Sequence, residues 1–120
     1  MPSLRPAHSI VLLVGREDYT PPTSFGGAAC AATIDCVAVG TLSPVDGPTS
    51  VSVAPSAPDH LRPLGEFTIE SEGQVSLRDV FHREHDAMGV EPGYVEVRVL
   101  GNHPTEPDEL VFVVRPGEWG

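Results

Sequence analysis

There is no lysine in this chain. All seven basic residues among its 120 are arginines, and seventeen acids stand against them, giving a formal net charge of −10 with histidine neutral. A surface so negative repels phosphate backbones, so binding to nucleic acid by counterion release is disfavoured. Cysteine is scarce as well. Cys30 and Cys36 are the only two, six positions apart, which is neither a C-x-x-C pair nor a zinc pattern with a second pair to complete it. Aromatics number four Phe, two Tyr and one Trp. Near the N-terminus the apolar run Ile10–Val14 is only five residues long, too short for a signal h-region or a membrane span. These absences point to a cytoplasmic protein with no membrane partner, its thiols reduced and used as small buried hydrophobes. Catalytic signatures are missing too: there is no G-x-S-x-G elbow, and a chain without lysine has no P-loop.

Proline and glycine, in contrast, are plentiful, thirteen and twelve, and they punctuate rather than repeat. That suits short strands joined by ordered turns. At this length the chain is expected to be one domain, 1–120, burying roughly 65–70% of its unfolded surface around a single core. The Lys-free, Pro-, Ala- and Val-rich composition resembles that of proteins from GC-rich bacterial genomes.

Six runs read as strands. His8–Gly15 and Leu110–Val114 are apolar on both faces and should be covered on both. Thr33–Gly40 reads as one strand. Thr49–Ala54, Gly65–Ser71 and Tyr94–Leu100 alternate, with Val51, Val53, Phe67, Ile69, Val95, Val97 and Val99 inward. Between the first two runs, Arg16–Ala29 (REDYTPPTSFGGAA) should be a long loop. Asp46-Gly47 and Glu91-Pro92-Gly93-Tyr94 carry turn chemistry. The expected fold is thus α+β and β-rich: an antiparallel β-sandwich or open barrel of about six strands with one short helix.

The helix is expected over residues 77–88. Ser76 offers an N-cap with Asp79 three residues on, Val75 and Val80 a hydrophobic staple, Gly89 a C′ residue and Pro92 a stop. At about 100° per residue, Leu77, Val80, Phe81 and Met88 form an apolar stripe that also contains Glu84, with His85 at its margin. Asp79, His82, Arg83 and Asp86 fall on the solvated side. An acid on the apolar stripe needs a partner, water or a raised pKa.

This segment, FHREHDAMG (Phe81–Gly89), is the one place where histidines and carboxylates crowd together. His82 and His85 are three apart, whereas the zincin arrangement needs a spacing of four with an intervening Glu. A metal-binding domain or metal-dependent enzyme would have to recruit His60 or His103, with His8 and Asp59 as further candidates. The charge is lopsided too. Residues 66–120 hold twelve acids and four arginines, against five acids and three arginines in residues 1–65. An acidic half without catalytic signatures points to a binding protein, not an enzyme, for instance an inhibitor or immunity-type protein for a basic partner. Its contact face would be Asp79, His82, Arg83 and Asp86 with Glu106, Asp108 and Glu109 of the 102–109 loop. No cofactor is expected on this reading; a divalent metal is expected on the alternative. A small-ligand pocket inside the sandwich is the third possibility.

Overall fold

The computed structural model describes residues 3, 4, 6, 9–22, 25 and 29–116. Among them run ten strands: β1 (Ser3–Leu4), β2 (Ile10–Val14), β3 (Cys30–Ala32), β4 (Cys36–Gly40), β5 (Thr49–Ala54), β6 (Arg62–Ser71), β7 (Gln74–Arg78), β8 (Glu84–Gly89), β9 (Gly93–Gly101) and β10 (Glu109–Pro116). They form two five-stranded sheets, ordered β1-β5-β10-β9-β6 and β3-β4-β2-β7-β8, here called sheets A and B. All pairings are antiparallel except β5 with β10. Each sheet keeps two edge strands, so neither closes into a barrel.

One core is shared by both sheets, as in a β-sandwich. Sheet B contributes Val11, Leu13, Val37, Val39, Val75 and Leu77; sheet A contributes Val51, Ile69, Val95, Val97, Val99, Leu110, Phe112 and Val114. These residues alternate along their strands, and each fully buried Val, Leu, Ile or Phe stabilises by about 1.5–3 kcal/mol. The two doubly apolar runs take the central places, β2 in sheet B and β10 in sheet A. Their second faces carry satellite clusters. Leu12 and Val14 pack outward with Tyr19, Cys36 and Ala38, beneath the loop after β2. Val111 and Val113 pack outward with Leu61, beneath the connector between β5 and β6.

Two expectations are corrected. Ten strands replace about six, the additional ones being β1, β3, β7 and β8. Of the expected strand Thr33–Gly40 only Cys36–Gly40 is strand, because the Thr33 amide donates to the Cys36 carbonyl (2.8 Å) and turns the chain between β3 and β4. The helix over 77–88 does not exist. Its residues form the β7–β8 hairpin, and no α-helix occurs among the described residues. A period of two wins over a period of 3.6 because β2 has an edge to satisfy. As a strand, β7 pairs with β2 at Leu12, Leu13 and Val14 and buries Val75 and Leu77 completely. The supposed apolar stripe is dispersed. Leu77 is in the core, Phe81 is 58% exposed at the turn and Met88 reaches the core from the opposite strand.

The sheets are tied at one end through Gly15. Its amide donates to the Asp35 carbonyl (2.9 Å) and its carbonyl accepts from the Glu72 amide (3.0 Å), while the Glu70 amide donates to the Ile34 carbonyl (2.6 Å). A Cβ at Gly15 would lie 2.1 Å from the Glu70 carbonyl oxygen, a contact with backbone that no side-chain rotation relieves. Gly15→Ala is therefore expected to cost about 2–4 kcal/mol, measured by urea unfolding. A loss within about 0.5 kcal/mol, the usual size for an unconstrained surface site, would contradict this close approach.

Candidate functional site

The β7–β8 turn, Asp79 to Arg83, is built around one carboxylate. Asp79 is 2% exposed. Its Oδ1 accepts the amides of Phe81 (2.8 Å) and Arg83 (3.2 Å), and its Oδ2 meets Arg83 Nε (2.8 Å) and His85 Nε2 (3.0 Å). The His82 amide closes the turn onto the Asp79 carbonyl (3.0 Å). This is the donor-satisfying chemistry of a helix cap, applied to a hairpin. His82 follows with φ +66°, a left-handed conformation that histidine tolerates better than most side chains. His85 is the extra residue of a bulge, since Leu77 faces Asp86 while Arg78 faces Glu84.

From this turn a side-chain network runs across the outer face of sheet B. The Tyr19 hydroxyl hydrogen-bonds His82 Nδ1. The Arg78 guanidinium lies 5.9 Å from the centre of the Tyr19 ring and bonds Glu17 Oε1 (2.7 Å) and Ser76 Oγ (3.0 Å). Ser76 in turn donates to Glu84 (2.7 Å). Asp35, 6% exposed, accepts the Thr20 amide (3.0 Å) and fixes the same loop from the other side. Burial pushes the Tyr19 phenol upward, with Arg78 pulling the other way, so the hydroxyl stays protonated at neutral pH. Cys36 below it is pushed up to about 12, first by burial and then by Asp35, which makes it an inert thiol.

Two hollows flank Tyr19. The polar one, about 400 Å³, is walled by Arg16, Glu17, Glu72, Ser76 and Arg78. Its arginines are already committed: Arg16 to Asp18 and Glu70, Arg78 to Glu17. The apolar one, about 320 Å³, has Ile10, Leu12 and Ala38 as its floor. Its walls are Pro21, Pro22 and Phe25 on one side, Val80 and His82 on the other.

The sequence-derived site residues separate on this frame. Asp79 is withdrawn from the surface. Asp86 is half-buried and caps the Val53 amide of β5 (3.1 Å), linking the sheets. Arg83 is exposed over the Phe81 ring, and Glu84, expected on an apolar stripe, is exposed too. In the 102–109 loop Glu106 and Asp108 are exposed, while Glu109 is half-buried and bonds His60 (2.9 Å). His103 Nδ1 accepts the amides of Thr105 and Glu106 within its own loop. The histidines thus have separate partners: Glu109 for His60, Tyr19 for His82, Asp79 for His85 and loop backbone for His103. Among the described residues no three His, Cys, Asp or Glu side chains gather around a point that could hold a metal ion. His8 lies outside the described residues. Tyr19, Pro21, Pro22, Phe25 and Arg78 are the residues that sequence reasoning missed. Their signal was the second apolar face of β2, which must be covered by something, and the Pro-Pro loop is the next segment in the chain.

Comparison with protein-family models, curated proteins and solved structures finds no match to this chain.

Asp79 also sets a pH dependence. Burial alone would raise its pKa, but hydrogen bonds from His85, the Arg83 and Phe81 amides and the Arg83 side chain outweigh it and hold the carboxyl at about 2. A depressed folded pKa contributes stability above the unfolded value, near 3.8, and loses it as pH falls toward 2. The contribution is about 2–3 kcal/mol. Urea unfolding from pH 6 down to pH 2 should show that loss, and Asp79→Asn should be less stable at pH 6 with a flatter acid limb. Wild-type and variant curves that stay parallel would refute this assignment.

Proposed function

We propose that the protein is a small acidic binding protein whose sheet A side meets a basic partner, in the way an inhibitor or immunity-type protein covers a cationic surface. The supporting observation is how carboxylates are neutralised. Around sheet B the arginines are used internally, Arg16 with Asp18 and Glu70, Arg78 with Glu17, Arg83 with Asp79. On sheet A and its β9–β10 loop, Glu66, Glu96 and Glu106 are exposed, and their carboxylates make no ion pair or hydrogen bond among the described residues. Acids on that side, with Asp108 and Glu109, outnumber Arg62, Arg98 and Arg115. Uncompensated carboxylates on a protein of charge −10 raise the encounter rate with a cationic surface and are relieved by its docking. The contact face in this reading excludes Asp79 and Asp86, which hold the fold, and keeps Glu106 and Asp108.

Position can be separated from net charge. An Arg-rich decapeptide titrated at low salt should bind Glu66→Gln/Glu96→Gln/Glu106→Gln roughly tenfold more weakly than wild type, at about 0.5 kcal/mol per lost pair. The control Asp46→Asn/Glu72→Gln/Glu91→Gln removes the same charge elsewhere and should lose much less. Equal losses in the two triples, or binding insensitive to salt, would reject the reading.

A further inference from the structure

We infer that the apolar hollow on the outer face of sheet B is a binding site for a small, uncharged, mainly apolar molecule carrying one carbonyl oxygen, anchored by His82. This site is independent of the acidic face and lies on the opposite sheet.

The first argument is the floor. An outward sheet face normally carries polar side chains, yet here Ile10, Leu12 and Ala38 line it. Tyr19 covers part of this face, but the short side chain of Ala38 leaves an opening of about 320 Å³. That volume falls in the range of small-molecule sites, roughly 300–1,000 Å³, and the ratio of many apolar groups to one polar group is also theirs. The second argument is rigidity. Pro21 and Pro22 have fixed φ and form one wall, and the chain just before them is tied down by the Thr20–Asp35 bond. The opposite wall is the turn locked by Asp79. A site with walls set before the ligand arrives does not spend binding energy on ordering them.

The third argument identifies the polar group. His82 is exposed and held at φ +66°, an uncommon backbone state of the kind that collects at binding sites. Its Nδ1 is occupied by the Tyr19 hydroxyl. A phenol is a more acidic donor than an imidazole N–H, and an imidazole nitrogen a stronger acceptor than a phenol oxygen, so the favoured arrangement has the hydroxyl donating to Nδ1 and the neutral imidazole carrying its proton on Nε2. Nε2 has no partner among the described residues, so the imidazole offers one hydrogen-bond donor. A donor calls for an acceptor oxygen. The net charge of −10 disfavours an anion, which selects a carbonyl over a carboxylate.

Three probes of similar size separate these elements: acetophenone (ring and carbonyl), ethylbenzene (ring alone) and benzoate (ring and anion). Binding is followed by chemical shifts of the Leu12 and Ala38 methyl groups and the His82 ring. Acetophenone should give saturable shifts at these three residues, ethylbenzene should bind roughly 3–10-fold more weakly, and benzoate more weakly than acetophenone. Ala38→Leu fills the hollow and should abolish the shifts. His82→Asn, which tolerates the same backbone conformation, should keep binding but remove the preference for acetophenone over ethylbenzene. His82→Asn keeps the test decisive even if Ala38→Leu does not fold. The inference is overturned by any of three results: no saturable shift with any probe, shifts unchanged in a folded Ala38→Leu, or an acetophenone preference that survives His82→Asn.

Discussion

A buried carboxylate with four donors around it governs the geometry of half this molecule. Asp79 turns β7 back into β8, and the turn sets His82 in a left-handed conformation. From there His82 reaches Tyr19, and Tyr19 holds the following loop against the outer face of sheet B. Isolated, a carboxylate in that position would be expensive to desolvate. Its hydrogen bonds make it instead the most constrained point of the surface network. Asp35 plays a smaller version of the same part, accepting the Thr20 amide and the Thr33 hydroxyl, so that the loop is held at two places by two buried acids.

What the sequence made legible was whatever depended on alternation. The inward faces of β5, β6 and β9, the central positions of β2 and β10 and the turn glycines follow from a period of two and from backbone sterics; Gly93, at φ +127°, needs no partner to explain it. The hairpin at 74–89 resembles a helix in sequence because Leu77, Val80 and Phe81 satisfy a helical spacing as well as any strand pattern, and because Ser76-x-x-Asp79 matches a cap. Nothing local distinguishes an aspartate that caps a helix from one that caps a hairpin. The decision lies in β2, more than sixty residues earlier, whose free edge β7 fills.

The candidate site was illegible for the same reason. His82 is joined to Tyr19 across 63 positions, and the apolar hollow draws on β2, β4, the Pro-Pro loop and the turn. The histidines that crowd the string are parted by the pleat and by a bulge. Their meaning comes from partners the string does not place beside them. The outer cover of each sheet was foreseeable in kind: a strand apolar on both faces requires a lid. Sheet B uses the loop after β2, sheet A the connector from β5 to β6.

The one parallel pairing has a kinetic consequence. β5 bonds β10 along Ser50 to Ala54, so the strand that starts at residue 49 waits for one that starts at 109. β9 and β6 form their own antiparallel ladder, but β5 joins them only through β10. During synthesis Val51 therefore emerges long before its cover, while sheet B can zip through β2, β4 and β7 earlier. Such sequence-distant pairing slows folding, because loop-closure entropy must be overcome before the contacts reward it. Sheet B is in this sense the template, and sheet A the half that is completed last.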